Sequence, residues 1–203
     1  MKKTDIKTEQ LILEAAKKVF IRKGMDGARM QEIADEAQIN KALLHYYYRS
    51  KQQLFEAVFI HAFTALAPQL NAILNQESSI ECKVREFTKS YTSFMIKQPY
   101  LPGFIIQELN RNPDFVQQIG AFGQFPNLDK FRLQLNMEID QGKIRSINPE
   151  QLFVNIMALN IFPFLGKPLI KGITAMDDNS YHQMVEERKE LVADFIIQAI
   201  KVH

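Results

Sequence analysis

Apolar residues return every three or four positions along most of this chain, and the interruptions fall at glycine, proline and short polar runs. Ile12, Ala15, Ala16, Val19 and Phe20 lie at i, i+3, i+4, i+7 and i+8, while Glu14, Lys17, Lys18 and Arg22 take the other face. That spacing predicts an amphipathic helix, ended by Gly24 with Met25-Asp26-Gly27 as the turn. A short second helix follows over Gln31–Ala37, burying Met30, Ile33, Ala34 and Ala37. Gln38-Ile39-Asn40 breaks the pattern, and a third helix begins at once over Lys41–Tyr47. Two short helices joined by a tight turn and packed on a longer one describe a helix-turn-helix, here at about residues 29–48.

Beyond Arg49, Ser50 is placed to cap a long helix from Lys51 to about Leu74, with Leu54, Phe55, Val58, Ala62, Ala65, Leu66 and Ile73 inward. Pro68 should kink it or disturb its last turns. Ser78 with Glu81 matches a capping box that opens a helix to Gln98, with the stripe Val84, Phe87, Tyr91, Phe94 and Met95. Pro99 and Pro102 bracket a turn, Gly103–Asn110 reads as a short helix, and Asp114–Asn127 has no assignable conformation. The helical period returns over Leu128–Gln141 and ends at Gly142. Asn148 caps a helix over Pro149–Phe162 that is apolar on nearly all sides. A last helix over Ser180–Val202 gathers Met184, Leu191, Val192, Phe195, Ile196 and Ala199 on one face. No stretch alternates as a strand does, so the expected fold is all-α. An N-terminal domain over 5–52 precedes a larger helical domain over 53–203.

Composition narrows the classes. The chain of 203 residues is 46% hydrophobic and 24% charged, which suits a globular protein and not a disordered one. A lone cysteine, Cys82, excludes a disulfide framework. The first ten residues have no apolar run behind their lysines, and Gln151–Gly166 is too short to span a bilayer, so a cytoplasmic protein with no membrane partner is expected. Charge divides unevenly. Residues 1–55 hold 11 Lys and Arg against 7 Asp and Glu, net +4, and the remaining 148 hold 14 against 16, net −2. The split fits an N-terminal segment that meets a polyanion, although a solvated helix face would give the same excess. Phenylalanine divides the other way: only Phe20 and Phe55 of 15 lie in the first 55 residues.

The N-terminal residues also carry a family likeness. Ile12-Leu13-Glu14-Ala15-Ala16-Lys17-Lys18-Val19-Phe20, Gly24, Ile33-Ala34-Asp35-Glu36-Ala37, Asn40 to Tyr48, Ser50-Lys51 and Leu54 together resemble the tetracycline-repressor (TetR) family over about residues 8–60. The remainder resembles it only in architecture. The resemblance implies a DNA-binding regulator, with a helical C-terminal domain that dimerises and holds a small-molecule effector. Four departures touch base preference. Ala28, Arg29 and Met30 stand where small hydroxyl residues are common, Gln38 and Ala42 where glycine is common, and His45 where tyrosine is common.

A B-DNA major groove admits one α-helix, whose leading side chains then meet base edges. On the third helix Lys41, Ala42, Leu43 and His45 lead, while Leu44 and Tyr48 point to the core. Lys41 can reach guanine acceptors or phosphate, Ala42 and Leu43 a thymine methyl, and His45 can donate or accept. Tyr46 and Tyr47 are long enough for phosphate oxygens, and Lys51 adds charge at a helix N-terminus. Taken singly, a tyrosine run is as readily core and surface, and a lysine is as readily solvated. The resemblance places groove or phosphate contacts at Met30, Gln31, Lys41, Ala42, Leu43, His45, Tyr46, Tyr47 and Lys51. Such a module makes few base contacts, so a two-fold dimer on a palindromic operator in double-stranded DNA is expected.

The C-terminal part offers less. An apolar effector could lie among Phe59, Phe63, Phe94, Phe104, Phe122, Phe125, Phe131 and Phe162, but phenylalanine at helical spacing is more often core, so no ligand residues are assigned. Glu81, Glu86 and Glu108 read as solvated faces, and His182 with Glu186 lacks a third metal ligand. No nucleophile elbow or phosphate-binding glycine loop is present, so no enzyme, cofactor or metal is expected. A competing reading is an architectural or recruiting DNA binder whose helical body meets another protein. A filled core with an exposed apolar patch would favour that reading, and a large cavity would favour the effector-gated regulator.

Overall fold

The structure, a computed structural model, describes residues 3–99, 101–103, 106, 110 and 127–202. Among these it forms nine helices: α1 (Lys3–Gly27), α2 (Met30–Glu36), α3 (Lys41–Tyr47), α4 (Lys51–Asn75), α5 (Ile80–Lys97), α6 (Asp129–Asp140), α7 (Pro149–Leu165), α8 (Lys167–Thr174) and α9 (Asp178–Ile200). The only strand-like pairing among the described residues is an isolated antiparallel bridge between Ile144 and Lys201, so the protein is all-α. Two compact units, Met1–Ala65 and Leu66–His203, divide within α4.

In the N-terminal unit, Ile12, Ala15, Ala16, Val19 and Phe20 of α1 are all buried, as the spacing predicts. Gly24 breaks α1 with φ 66 and ψ 178, a conformation that costs glycine little and other residues a great deal. Ile33 and Ala34 fix α2 on this core, Leu44 fixes α3, and Phe20 meets Phe55 of α4 edge-on at 4.7 Å. Between α2 and α3, Gln38 adopts φ 55, a left-handed backbone held by a residue with a Cβ. Ser50 caps α4, its Oγ accepting from the Gln53 N–H at 3.1 Å.

The C-terminal unit begins with the end of α4, which stays helical through Pro68 to Asn75. By length and apolarity α4 would suit a membrane span, more so than the stretch 151–166. Its Leu54, Val58, Phe59 and Leu66 are nevertheless buried by the protein itself, as in a core helix. The cap of α5 falls one residue later than the Ser78–Glu81 box predicts. Ser79 Oγ accepts from the Cys82 N–H at 3.2 Å, because Ser79 is the residue with extended backbone ahead of the first turn. Asn148 and Pro149 open α7 as expected, and α7 continues through Pro163 to Leu165.

Helix α5 is the spine of this unit, burying Val84, Phe87, Tyr91 and Met95 while Phe94 stays half-buried. Polar groups also go inside. Asn160 of α7 donates to Ile156 O at 2.8 Å and Thr88 Oγ1 at 3.4 Å, and it accepts from Thr92 Oγ1 at 3.2 Å. Lys83 is 1% exposed, and its ammonium donates to the carbonyls of Leu74 (2.9 Å) and Gln76 at the end of α4. Such an arrangement satisfies carbonyls that a helix end otherwise leaves to water. Burial pushes the Lys83 amine below its ordinary pKa.

Helices α8 and α9 differ from what the sequence pattern suggests. Helix α8 was not foreseen, because Pro163, Gly166 and Pro168 punctuate the sequence there. On α9 the buried stripe is Tyr181, Val185, Val192, Ala193, Ile196, Ile197 and Ile200. Leu191 (60% exposed), Phe195 (65%) and Ala199 face outward while Val192 and Ile196 face the core, so the residues expected on one face divide between two. The helix carries two apolar faces, and the core uses only one. The expected helix over Gly103–Asn110 and the unassigned stretch 114–127 lie largely outside the described residues, as do Phe104, Glu108, Phe122 and Phe125.

Candidate nucleic-acid interface

Helix α3 is seven residues long and opens with a well-made cap. Asn40 has extended backbone, and its Oδ1 accepts from the Leu43 N–H at 2.7 Å. Leu44 is fully buried and Tyr48, just past the helix, is 8% exposed, so the two anchor the segment from below. The Tyr48 hydroxyl donates to Glu9 Oε1 of α1 at 3.1 Å, and burial first, then the Glu9 charge, pushes the phenol well above its ordinary pKa. With those anchors inward, Lys41, Ala42, Leu43, His45 and Tyr46 are all exposed, Tyr46 by 80%. Tyr47 is half-buried, with its ring edge-on to Tyr46 at 5.5 Å. The alternation of one deep anchor and several outward residues keeps the segment proud of its support.

The remaining expected residues lie on the neighbouring elements of the same unit. Met30, half-buried, begins α2; Gln31 beside it is exposed and donates to Asp35 Oδ1 at 2.8 Å. Lys51 is half-buried, and its ammonium donates to the carbonyls of Asp26 (3.1 Å) and Ala28 (3.0 Å). It therefore stitches the start of α4 to the connection between α1 and α2, a role its position in the sequence does not reveal. Two exposed cations that the sequence reading left aside flank the reading elements: Arg29, immediately before α2, and Arg49, between α3 and α4.

Pairing sorts the charge of this unit. Lys23 meets Glu32 at 2.7 Å, and Glu36 takes both Lys18 (3.3 Å) and Arg22 (3.1 Å), clamping α2 to α1. Lys23 holds the Glu32 carboxyl below its ordinary range, and Lys18, with Arg22, does the same for Glu36. Cations of α1 thus answer the carboxylates of α2, while among the described residues Lys41 and Arg49 form no ion pair and the Arg29 side chain acts on Glu32 only as a neighbouring charge. The chemistry on offer is a short helix with one leading ammonium, two small or apolar contacts, an imidazole and two phenols. Such a set suits base edges and phosphate oxygens.

Elsewhere, the described phenylalanines considered for a ligand pocket differ in exposure. Phe59 and Phe131 are buried, Phe59 stacks on Phe63 at 5.6 Å, and Phe162 is 53% exposed. Glu81 pairs with Arg85 at 3.2 Å, and Glu86 accepts from Gln76 at 2.8 Å. His182 lies 3.9 Å from Glu186, and no group of three metal-ligating side chains occurs among the described residues.

Residues 12–58 match the family described as bacterial regulatory proteins, tetR family. The HTH-type transcriptional repressor NicS of Pseudomonas putida is 28% identical over 93 residues, 46% of this chain and 44% of that protein. The chain thus spans less than half the length of that relative. The HTH-type transcriptional regulator YttP of Bacillus subtilis is 22% identical over 189 residues, 91% of each chain. Among solved structures, HlyIIR, a hemolysin II transcriptional regulator, shares the fold with a TM-score of 0.65 at 23% identity, over 97% of this chain and 98% of its own.

Proposed function

The chain belongs to the tetR family of bacterial regulatory proteins and is a DNA-binding transcriptional regulator, and from that premise we propose that it is an effector-released repressor acting as a dimer on a palindromic operator. Residues 5–52 form its DNA-binding domain and residues 53–203 its effector-binding and dimerisation domain, working in the cytoplasm on double-stranded DNA. Lys41, Ala42, Leu43 and His45 enter the major groove, and Tyr46, Tyr47, Met30 and Gln31 line its edge. Lys51 meets a phosphate while holding its two carbonyls, since an ammonium has three donors. The single observation that carries the reading is the exposure of α3 above the buried Leu44 and Tyr48.

An apolar outer face on α7 and α9 supports the dimer. Val154 (57% exposed) and Phe162 of α7 are exposed, as are Leu191 and Phe195 of α9, and Leu159 and Phe195 help to line an open groove between the two helices. Two copies of this helix pair make a four-helix contact that covers the face with itself. The same patch is what a recruiting protein would show, so light scattering is the arbiter. A dimer at micromolar concentration supports the proposal, and a monomer favours the recruiter. A mobility-shift assay on the DNA beside its own gene tests the rest: one shifted species of two protomers per palindrome is expected. No shift at low salt would overturn the assignment.

A further inference from the structure

Helix α3 opens on the Asn40 cap and α4 on the Ser50 cap, but α2 opens on Arg29. The Arg29 backbone is extended, with φ −119 and ψ 140, and its carbonyl accepts from the Ile33 N–H at 3.2 Å, the geometry of a capping residue. No side-chain cap bond forms there. A guanidinium donates and never accepts, so it cannot take a helix N–H, and its charge opposes the positive end of the helix dipole. Arg29 therefore weakens the start of α2. Its side chain is nevertheless exposed and in no ion pair among the described residues. The Glu32 carboxylate is bonded to Lys23 at 2.7 Å and feels the Arg29 guanidinium only as a further charge. Asp35 accepts from Gln31, and Glu36 from Lys18 and Arg22. Lys51 brings a second arginine to the same place. Its ammonium holds the carbonyls of Asp26 and Ala28, so the connection that ends in Arg29 lies against the start of α4. Arg49, just ahead of Lys51, is exposed, its backbone N–H donating to Gln53 Oε1 at 3.1 Å.

Resting on the reading that α3 enters the major groove, we propose that Arg29 and Arg49 form a clamp on the DNA backbone beside that groove, with Arg29 standing where a capping side chain would otherwise serve α2. Phosphate oxygens accept what these side chains offer, charge-assisted bonds from a planar fork. Arg29 exchanges a cap for a contact. Its cost to α2 falls on the free protein, and its return comes only on DNA. Because phosphates carry no sequence, the two arginines set the strength and salt dependence of binding and leave base preference to α3.

The full-length protein is titrated against two dye-labelled duplexes over a range of salt concentrations, with fluorescence anisotropy as the readout. One duplex is the DNA beside its own gene and the other has the same length and a scrambled sequence. Arg29→Ser and Arg49→Ala should each lower the slope of log K against log salt by about 0.9 per bound protomer on both duplexes. That is about an eightfold loss of affinity at 0.1 M salt, closing towards 1 M. Arg29→Lys should keep the slope. Thermal unfolding moves the other way: Arg29→Ser supplies a hydroxyl that accepts a helix N–H and should raise the midpoint by roughly 2–4 °C. An arginine with a merely structural role would lose stability and keep the slope. A lowered midpoint, an unchanged slope in either variant, or a loss confined to the DNA beside the gene overturns the proposal. The wild type separates two failures. If it binds and the arginine variants bind alike, the clamp alone falls; if it binds neither duplex at low salt, the regulator reading beneath it falls as well.

Discussion

The outward side chains of the two units differ in kind. On α3 they are Lys41, Ala42, Leu43, His45 and Tyr46, small or polar groups over a buried Leu44. On α7 and α9 they include Val154, Phe162, Leu191 and Phe195, apolar groups as large as those of the core. A surface meant for nucleic acid can stay hydrated until its partner arrives, because the partner is itself polar and charged. A surface of phenylalanine and leucine is stable in water only when covered. The outward face of α3 is therefore at ease in water, whereas that of α7 and α9 is a face that a partner, in the proposed function a second copy, would cover.

The sharpest way to break that contrast is Phe195→Glu. A carboxylate on the outer face of α9 leaves the monomer folded, since Phe195 is 65% exposed, but should abolish the dimer and weaken operator binding by roughly a hundredfold through lost avidity. Light scattering and mobility shifts read both; a monomer that binds as tightly as wild type would uncouple the units. Leu44→Ala acts from the opposite side. Truncating the fully buried anchor of α3 should cost the N-terminal unit about 2–4 kcal/mol in denaturant unfolding while leaving the dimer intact.

Smaller effects sharpen the division of labour along α3 and α4. Lys41→Ala should lower operator affinity by about 1–3 kcal/mol and relax preference at one base pair, measured by competition with single-site operator variants. Lys51→Ala should weaken all sequences about equally, lower the salt slope by roughly one unit and also reduce thermal stability, since its two carbonyl bonds go with it. A stability change without a salt-slope change would make Lys51 a stitch alone. Gln38→Gly should raise stability by about 0.5–1 kcal/mol, because the left-handed backbone at φ 55 carries a Cβ penalty that glycine lacks.

The mildest test uses acid. Lys18 and Arg22 hold the Glu36 carboxyl below its ordinary range in the folded chain. The unfolded chain takes up that proton first as pH falls, so the contribution of Glu36 is present above the ordinary glutamate value and is lost below it. Thermal melts of wild type and Glu36→Gln should differ at neutral pH and converge as pH drops through about 4. A gap that persists in acid would deny the clamp between α1 and α2.

Local chemistry explains what the sequence disclosed. Helix α3 was legible to its ends because Asn40 caps it and its period is short-range, and the buried face of α1 follows from spacing alone. The outward turn of Leu191, Phe195 and Ala199 was not legible, since an apolar residue covered by a partner reads like one covered by its own core. Lys83 was missed for the converse reason: a charge on a helix reads as solvated until a specific acceptor is seen beneath it. Adjacent serines displaced the α5 cap by one residue, and prolines hid α8. The site followed the same rule. The exposed row of α3 could be read from its sequence, whereas the grip of Lys51 on Asp26 and Ala28 depends on residues more than twenty positions away.

The buried Lys83 has one more implication. Where a helix end is finished by water, its last turn can swivel as molecules exchange around it. Here the carbonyls of Leu74 and Gln76 at the end of α4 are grasped by an ammonium rooted in α5 on a side chain that is almost wholly buried. Twisting α4 at that point means dragging α5 along or leaving a charge stranded, so the joint behaves as a weld and not as a bearing.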